Sequence, residues 1–391
     1  MSASLPRLRG GVFAVVLVLC QPRAARAEDS LSYKFQSWQE DNQRIRVDSH
    51  YVEAEKGIGT DTRITVMGLI DAIAGATPTG ELARTPGGPV PTAPMEDLRH
   101  ALSVGVAHQF ARVNLDLGYA YSKESDYISH GWSINTVTDF NQKNTNLLLG
   151  YGRTDDMVHE PRLFWTIDRP KTGNDLIVGL TQLLNANTSV TGNISYGRAH
   201  GFLADPYKIV STTMLDLDPG TYYTPPENRP TEKNKVSIFL GLNRNFEPVH
   251  GALDASYRYY HDTFGITGHT LALRWLQDIG EHWTVEPSLR LYRQSAANFY
   301  YYNLDQAGII TTYEPILGET GTGRAPYYSS DYRLSRMQTI DAGLKVTWKP
   351  LSWLAVDVAY DRYTMRGLDH VTPQEAYSQA NVFTIGLKLS H

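Results

Sequence analysis

The 391-residue sequence holds one cysteine, Cys20, and that residue lies in the N-terminal segment "MSASLPRLRGGVFAVVLVLCQPRAARAED". Arg7 and Arg9, the apolar run from Gly11 to Cys20 and the small-x-small triplet Ala25-Arg26-Ala27 are the three parts of a secretory signal peptide. Cleavage after Ala27 is therefore expected, leaving a mature chain of residues 28–391. The apolar run is too short for a membrane helix, and Leu19 before Cys20 is larger than a lipoprotein signal usually tolerates. Without a cysteine the mature chain can have no internal disulfide, no thiolate metal site and no cysteine nucleophile. Charge of one sign is lacking too: 36 basic against 41 acidic residues give a net charge of -5, which offers no electrostatic case for nucleic acid as a partner. Beyond the leader no stretch approaches the ~20 apolar residues of a membrane helix.

Catalytic signatures are equally scarce. The sequence contains no GxSxG elbow, phosphate loop or HExxH. "GETGTG" at 318–323 is glycine-rich but has no helix pattern after it, so it reads as a loop. His100, His108, His200, His250, His269 and His282 are scattered without metal-site spacing. His261 and Asp262 are adjacent, which on a strand sends their side chains to opposite faces and argues against a dyad. No catalytic residue, metal ligand or cofactor is expected, and the chain reads as a non-enzyme.

What the sequence does have is alternation. Val113, Leu115, Leu117, Tyr119 and Tyr121 oppose Asn114, Asp116, Gly118, Ala120 and Ser122. Ile340, Ala342, Leu344, Val346 and Trp348 oppose Asp341, Gly343, Lys345 and Thr347, while Leu354, Val356, Val358 and Tyr360 oppose Ala355, Asp357 and Ala359. Reading for this period and for turn residues gives about sixteen strands, the signature of an all-β, transmembrane antiparallel barrel. Every second connection is tight: "KGIG", "HQFA", "NQK", "NAN", "NFEPVHG", "DIGEH" and "KPLS". The long segments fall on the other set, at about 72–97, 154–173, 200–233, 297–331 and 367–379, and are expected to be extracellular loops. Within them, "TPGGPVPTAP" at 85–94 is a polyproline-leaning spacer. The aromatic "ANFYYYNLDQ" at 297–306 reads as a membrane-interface anchor, with stacking on a sugar or peptide at the pore mouth as the alternative.

The sequence closes on "NVFTIGLKLSH", with Phe383, Ile385, Leu387 and Leu389 on one face and Thr384, Gly386, Lys388 and Ser390 on the other. A terminal edge strand is an aggregation hazard unless it pairs with the first strand and closes a barrel. Thr384, Gly386 and Leu389 fit the pattern by which the barrel assembly machinery recognises its clients, whereas His391 stands where a terminal Phe or Tyr is usual.

Five ordered segments carry a resemblance: "DAIAGATPTG" (71–80), "GLTQLLNANTSVTGNISYGRAHGFLADPY" (179–207), "SYRYYHDTFGITGHTLAL" (256–273), "LRLYRQSAANFYY" (289–301) and "SSDYRLSRM" (329–337). Together they resemble the bacterial family known as domain of unknown function 3570. The resemblance implies a barrel in the outer membrane of a Gram-negative cell, in contact with outer-membrane lipid, and assigns no activity to particular residues. Genes for flavin-attaching and thioredoxin-like exported proteins tend to lie near members, which implies a periplasmic redox-related partner.

A guanidinium facing lipid near the midplane would cost about 2 to 4 kcal/mol, so Arg258, Arg274 and Arg290, on three consecutive strands, are expected to point into the lumen at similar depth. Asp254 and Glu286 share those inward faces, and Asp341, Lys345 and Asp357 are inward on the following strands. These eight residues are the expected pore lining, read either as a field that selects solutes or as a salt-bridged filling. The functional expectation is a channel or transport pore for a small solute. The alternatives are a structural or partner-docking barrel plugged by its loops and, after it, an outer-membrane enzyme.

Overall fold

The computed structural model describes residues 29–83, 88–161, 166–212, 224–307 and 327–391. The expected signal peptide and "GETGTG" lie outside the described residues, as does part of the 85–94 spacer. Sixteen strands follow one another: β1 (Ser30–Glu40), β2 (Ile45–Ile58), β3 (Thr62–Pro78), β4 (Thr92–Gln109), β5 (Val113–Lys123), β6 (Tyr127–Phe140), β7 (Thr145–Pro161) and β8 (Thr166–Asn185). Then come β9 (Thr188–Gly201), β10 (Glu232–Phe246), β11 (Gly251–Asp262), β12 (Thr267–Ile279), β13 (Trp283–Gln294), β14 (Met337–Leu351), β15 (Leu354–Gly367) and β16 (Gln379–Ser390). Each pairs antiparallel with its neighbours, and β1 pairs β16 from Ser30 opposite Ser390 to Glu40 opposite Ala380, so the sheet closes with no free edge.

Alternation alone cannot separate a lipid face from a dry core, but surface exposure does. Leu117, Tyr119, Ile340, Leu344, Val358, Tyr360, Phe383, Ile385 and Leu387 all point outward and are exposed, Tyr360 at 50%. Among the most deeply buried side chains, Val210, Ser211, Thr212, Leu304 and Ser329 lie in loops at one mouth. An apolar belt around a polar interior is the inverse of a soluble protein and is what a membrane-spanning barrel requires. Aromatic residues frame the belt. At the short-turn end Trp283 stacks on Trp348 with centroids 5.8 Å apart, beside exposed Trp353, Phe110 and Phe140.

Three expected boundaries change. The 154–173 segment is mostly strand, since β7 and β8 stay paired from Tyr151 opposite Leu176 to Pro161 opposite Thr166. Outward residues there turn polar (Asp155, His159, Asp168), as suits a hairpin standing clear of the hydrocarbon, so the hydrophobic period fades while the hydrogen-bond ladder continues. Likewise β3 and β4 run to Pro78 and from Thr92, shortening the 72–97 loop. The loop expected over 297–331 extends to Arg336, since β14 begins only at Met337 and Tyr332–Leu334 form a 3-10 turn capped by the Asp331 side chain.

Candidate functional site

The lumen wall of β11 to β15 carries the expected charges. Arg258, Arg274 and Arg290 are all inward, their strand neighbours Tyr257, Leu273 and Leu291 being outward and exposed. They do not share one level. Arg258 is opposite Thr270, Arg290 opposite Ala272, and Arg274 opposite Asp254, so the row steps one inward position per residue along β12. Arg274 closes ion pairs with Asp254 (2.7 Å) and Glu286 (3.8 Å), and Lys345 pairs with Glu286 at 2.8 Å. Arg258 instead lies 5.5 Å over the Phe239 ring, and Arg290 5.8 Å over that of Tyr292. Among the described residues neither has a carboxylate within ion-pairing distance, although Asp341 is opposite Arg290 in the ladder.

Glycines keep this wall flat. A Cβ on Gly386 would collide with the Asp357 carboxylate and one on Gly343 with that of Asp361, so both acids lie back against the sheet. Gly386 of the expected assembly pattern therefore has a packing role as well. Thr384 is buried and accepts from Gln36 Nε2 at 3.2 Å, Leu389 lies opposite Leu31 and Leu354, and the His391 N–H donates to the Asp29 carbonyl. Across the lumen, β5 to β9 present small inward residues, among them Gly118, Ser133, Gly150, Gly179 and Ser195.

Over this lumen the described loop residues build a cap that no periodicity announces. Lys208, Arg229 and Arg333 meet Asp205, Glu227 and Asp331 in a buried, charge-balanced network. Arg333 pairs with Asp331 at 2.6 Å and Asp205 at 2.9 Å; Arg229 pairs with Glu227 and Asp331, both at 2.8 Å. Ser329 Oγ donates to Glu227 at 2.5 Å, and Lys208 Nζ donates to the Pro78 carbonyl at the end of β3. Tyr207 OH donates to Asp126 in the β5–β6 turn at 2.5 Å, the Leu82 N–H donates to Ser211 Oγ at 3.0 Å, and Tyr300 bonds Thr372. The β9–β10 and β13–β14 connections thus tie themselves to β3, to the β5–β6 turn and to the β15–β16 loop, which are spread around the rim.

Burial shifts the charges as expected for such a site. It pushes Lys208 down and Glu227 up, each toward its neutral form. Burial opposes the Asp331 carboxylate as well, but Arg333 and Arg229 overcome it and hold that carboxyl well below the usual range. Burial also pushes the Tyr377 hydroxyl up to about 12.

An apolar cluster backs the network: Phe264, Ile266, Ala297, Phe299 and Leu334, with Phe264 and Phe299 edge-to-face at 4.9 Å. The expectation that 297–306 anchors the membrane interface is corrected here. Ala297, Phe299 and Leu304 are buried in the cap, because the chain turns inward after β13 and stacks on the β11–β12 hairpin. Asp262 organises that hairpin, accepting from the N–H of Phe264 (3.0 Å) and Ile266 (3.1 Å) and from Tyr260 OH (2.6 Å), while Lys233 pairs with it at 2.8 Å. His261 faces out and bonds Thr267, so the two residues lie on opposite faces and form no dyad. Asp97, Glu124 and Asp126 gather carboxylate oxygens within 4.8 Å of one another, a grouping with the donor chemistry for a cation, and each also interacts within the protein.

All five segments quoted above send residues into the cap: Gly80, Asp205, Phe264, Phe299 and Asp331 each come from a different one. Gly80 has φ +95°, and a Cβ there would fall 2.5 Å from the Ile209 carbonyl oxygen. Gly80→Ala should therefore cost about 1 to 3 kcal/mol and loosen the cap while the barrel stays closed. Faster proteolysis of the loops, with unchanged heat-modifiability on a gel, is the expected result.

Among solved structures the barrel is similar to CdiB from Acinetobacter baumannii (TM-score 0.51, 9% identity), covering 94% of this chain and 61% of that one. It also matches a bacterial polysaccharide outer membrane secretin (TM-score 0.49, 9% identity, 94% and 99% covered) and Pseudomonas aeruginosa OccK5 (OpdH) (TM-score 0.45, 8% identity, 94% and 98% covered). At these identities the likeness to CdiB shows the fold alone. No curated protein matches the sequence. The family profile described as "Protein of unknown function (DUF3570)" matches residues 16–163 and 165–382, nearly the full sequence. The chain belongs to this family.

Proposed function

We propose that the protein is a gated pore of the Gram-negative outer membrane, with its long loops facing the cell exterior, the loop cap as outer gate and the β11–β15 wall as the path of a small polar solute. The observation that carries this reading is the pair Arg258 and Arg290, inward, exposed and without carboxylate partners beside a wall whose other cations are paired. A barrel filled only for stability would neutralise its fixed charges, whereas uncompensated cations in a wet lumen act on a passing solute. No step of covalent catalysis is needed for this role. The charge-balanced cap favours a second reading, a barrel held shut that docks a partner protein. Planar-bilayer recording on the refolded mature protein tests both. Rare openings in the unmodified protein and frequent ones in Gly80→Ala are expected; absence of conductance in both, at every voltage, would sink the pore and leave the docking barrel.

A further inference from the structure

The outward face at the long-loop end carries a repeated device. On six of the eight hairpins an outward tyrosine of the odd-numbered strand bonds a His or Asn of the next strand: Tyr33 with His50 (2.8 Å), Tyr119 with His130 (2.9 Å), Tyr257 with His269 (2.7 Å), Tyr151 with Asn174 (2.7 Å), Tyr196 with Asn234 (3.1 Å) and Tyr360 with Asn381 (2.8 Å). The geometry is the same each time. The partner lies opposite the residue two beyond the tyrosine, as Asn174 lies opposite Arg153, Asn234 opposite Arg198 and Asn381 opposite Arg362. Where the partner is Asn, that next outward residue is always Arg. Lys123 follows outward Tyr121 in the same way, and Arg293 follows outward Leu291.

A tyrosine belt sets the depth of the membrane interface, so residues one outward step beyond it sit among lipid headgroups. Arg153 and Arg198, on β7 and β9, both lie opposite Asn174 and so are two strands apart, about 10 Å, a spacing open enough to admit a headgroup between cations, while Lys123 on β5 lies level with Met157, four residues farther along. The opposite belt is different in kind, built of Trp and Phe.

We propose that the long-loop belt is a binding surface for multiply phosphorylated glycolipid in the facing leaflet, with Lys123, Arg153, Arg198, Arg293 and Arg362 as phosphate ligands and the Tyr–Asn bonds holding three of the arginines in place. Arg153, Arg198 and Arg362 pair with Asp155, Glu232 and Asp41 at 2.7, 2.8 and 2.6 Å. The first and third are two-point contacts, and all three are solvent-accessible and open to screening by salt. A guanidinium has five N–H donors, so a phosphate adds acceptors beside the carboxylate. Lys123 and Arg293 have no carboxylate within ion-pairing distance among the described residues. The proposal rests on the outer-membrane orientation given above and not on conduction.

The test uses the full mature protein in phosphatidylcholine vesicles, with diphosphorylated or with dephosphorylated lipid A added, and reads the midpoint of heat modification. The diphosphorylated lipid should raise the midpoint by several degrees, the dephosphorylated lipid should not, and salt should erode the rise. Replacing all five cations by Gln should abolish it, and replacing the four arginines by Lys should preserve most of it. Equal responses to the two lipids, or an unchanged rise in the Gln variant, would overturn the proposal. If the Gln variant fails to fold, the lipid comparison and salt series on the unmodified protein still decide. Conductance is recorded separately, so loss of the lipid effect and loss of the pore remain distinguishable.

Discussion

Asp331→Asn should open the cap. Asp331 accepts from Arg229 Nη2 at 2.8 Å, from Arg333 Nη2 at 2.6 Å and from Arg333 Nε at 2.8 Å, with 2% of its surface exposed. Asparagine keeps the shape but withdraws the charge, leaving two buried guanidiniums without their shared counter-ion. Removing one partner from a buried network costs about 3 to 5 kcal/mol, more than a loop assembly of this size can absorb. The strands make none of these contacts, so the barrel should still close. The expected picture is rapid cleavage of 202–212 and 327–336 by protease added to intact cells, frequent long openings in bilayers, and normal heat-modifiability. The exposed pair Arg46–Asp48 provides the control, since Arg46→Gln should change stability by about 1 kcal/mol or less and leave the cap protected. Full protection in Asp331→Asn would show that the apolar cluster around Phe264 and Phe299, and not the charge network, holds the mouth.

The strands were legible in the sequence because their signals are local. Period two, turn residues such as "NQK" and "KPLS", and the terminal "TIGLKLSH" each reside within one or two neighbouring elements. Strand ends were not, because beyond the hydrocarbon Asp155, His159 and Asp168 face water and the hydrophobic period stops while pairing continues. Inward placement of Arg258, Arg274 and Arg290 also followed from parity. Which of them is paired depends on register between strands, a quantity no single strand contains. The cap was invisible for a stronger reason. Lys208 to Pro78 and Arg229 to Asp331 join segments about a hundred or more residues apart, and their loops carry no repeat. A usable signal existed only in hindsight: Asp205, Asp331 and Arg333 are charged residues set in the same unusual segments that carried the family resemblance.

Replacing Arg258 and Arg290 together by Gln should shift the reversal potential toward cations and move the melt little, while Arg274→Gln should lower stability and leave the reversal potential nearly in place. The division follows from pairing. Arg258 and Arg290 rest on aromatic rings and close no ion pair among the described residues, so their removal strands little, Asp341 opposite Arg290 losing only a longer-range attraction; Arg274 is the ion-pair partner of Asp254 and one of two for Glu286. Its loss leaves Asp254 alone and should lower stability by about 1 kcal/mol, a figure kept small because the pair is partly exposed. Arg274→Gln combined with Asp254→Asn removes both charges at once and should restore most of that loss without moving selectivity. The recordings belong in the Gly80→Ala background, where the lumen conducts. Screening supplies an internal check. The selectivity shift should be large at 0.01 M salt, where the Debye length is about 30 Å, and should collapse near 1 M, where it is about 3 Å. A double Gln variant that melts early and keeps its reversal potential would mean that Arg258 and Arg290 only pack the wall, and the solute path would have to run along the small-residue face of β5 to β9.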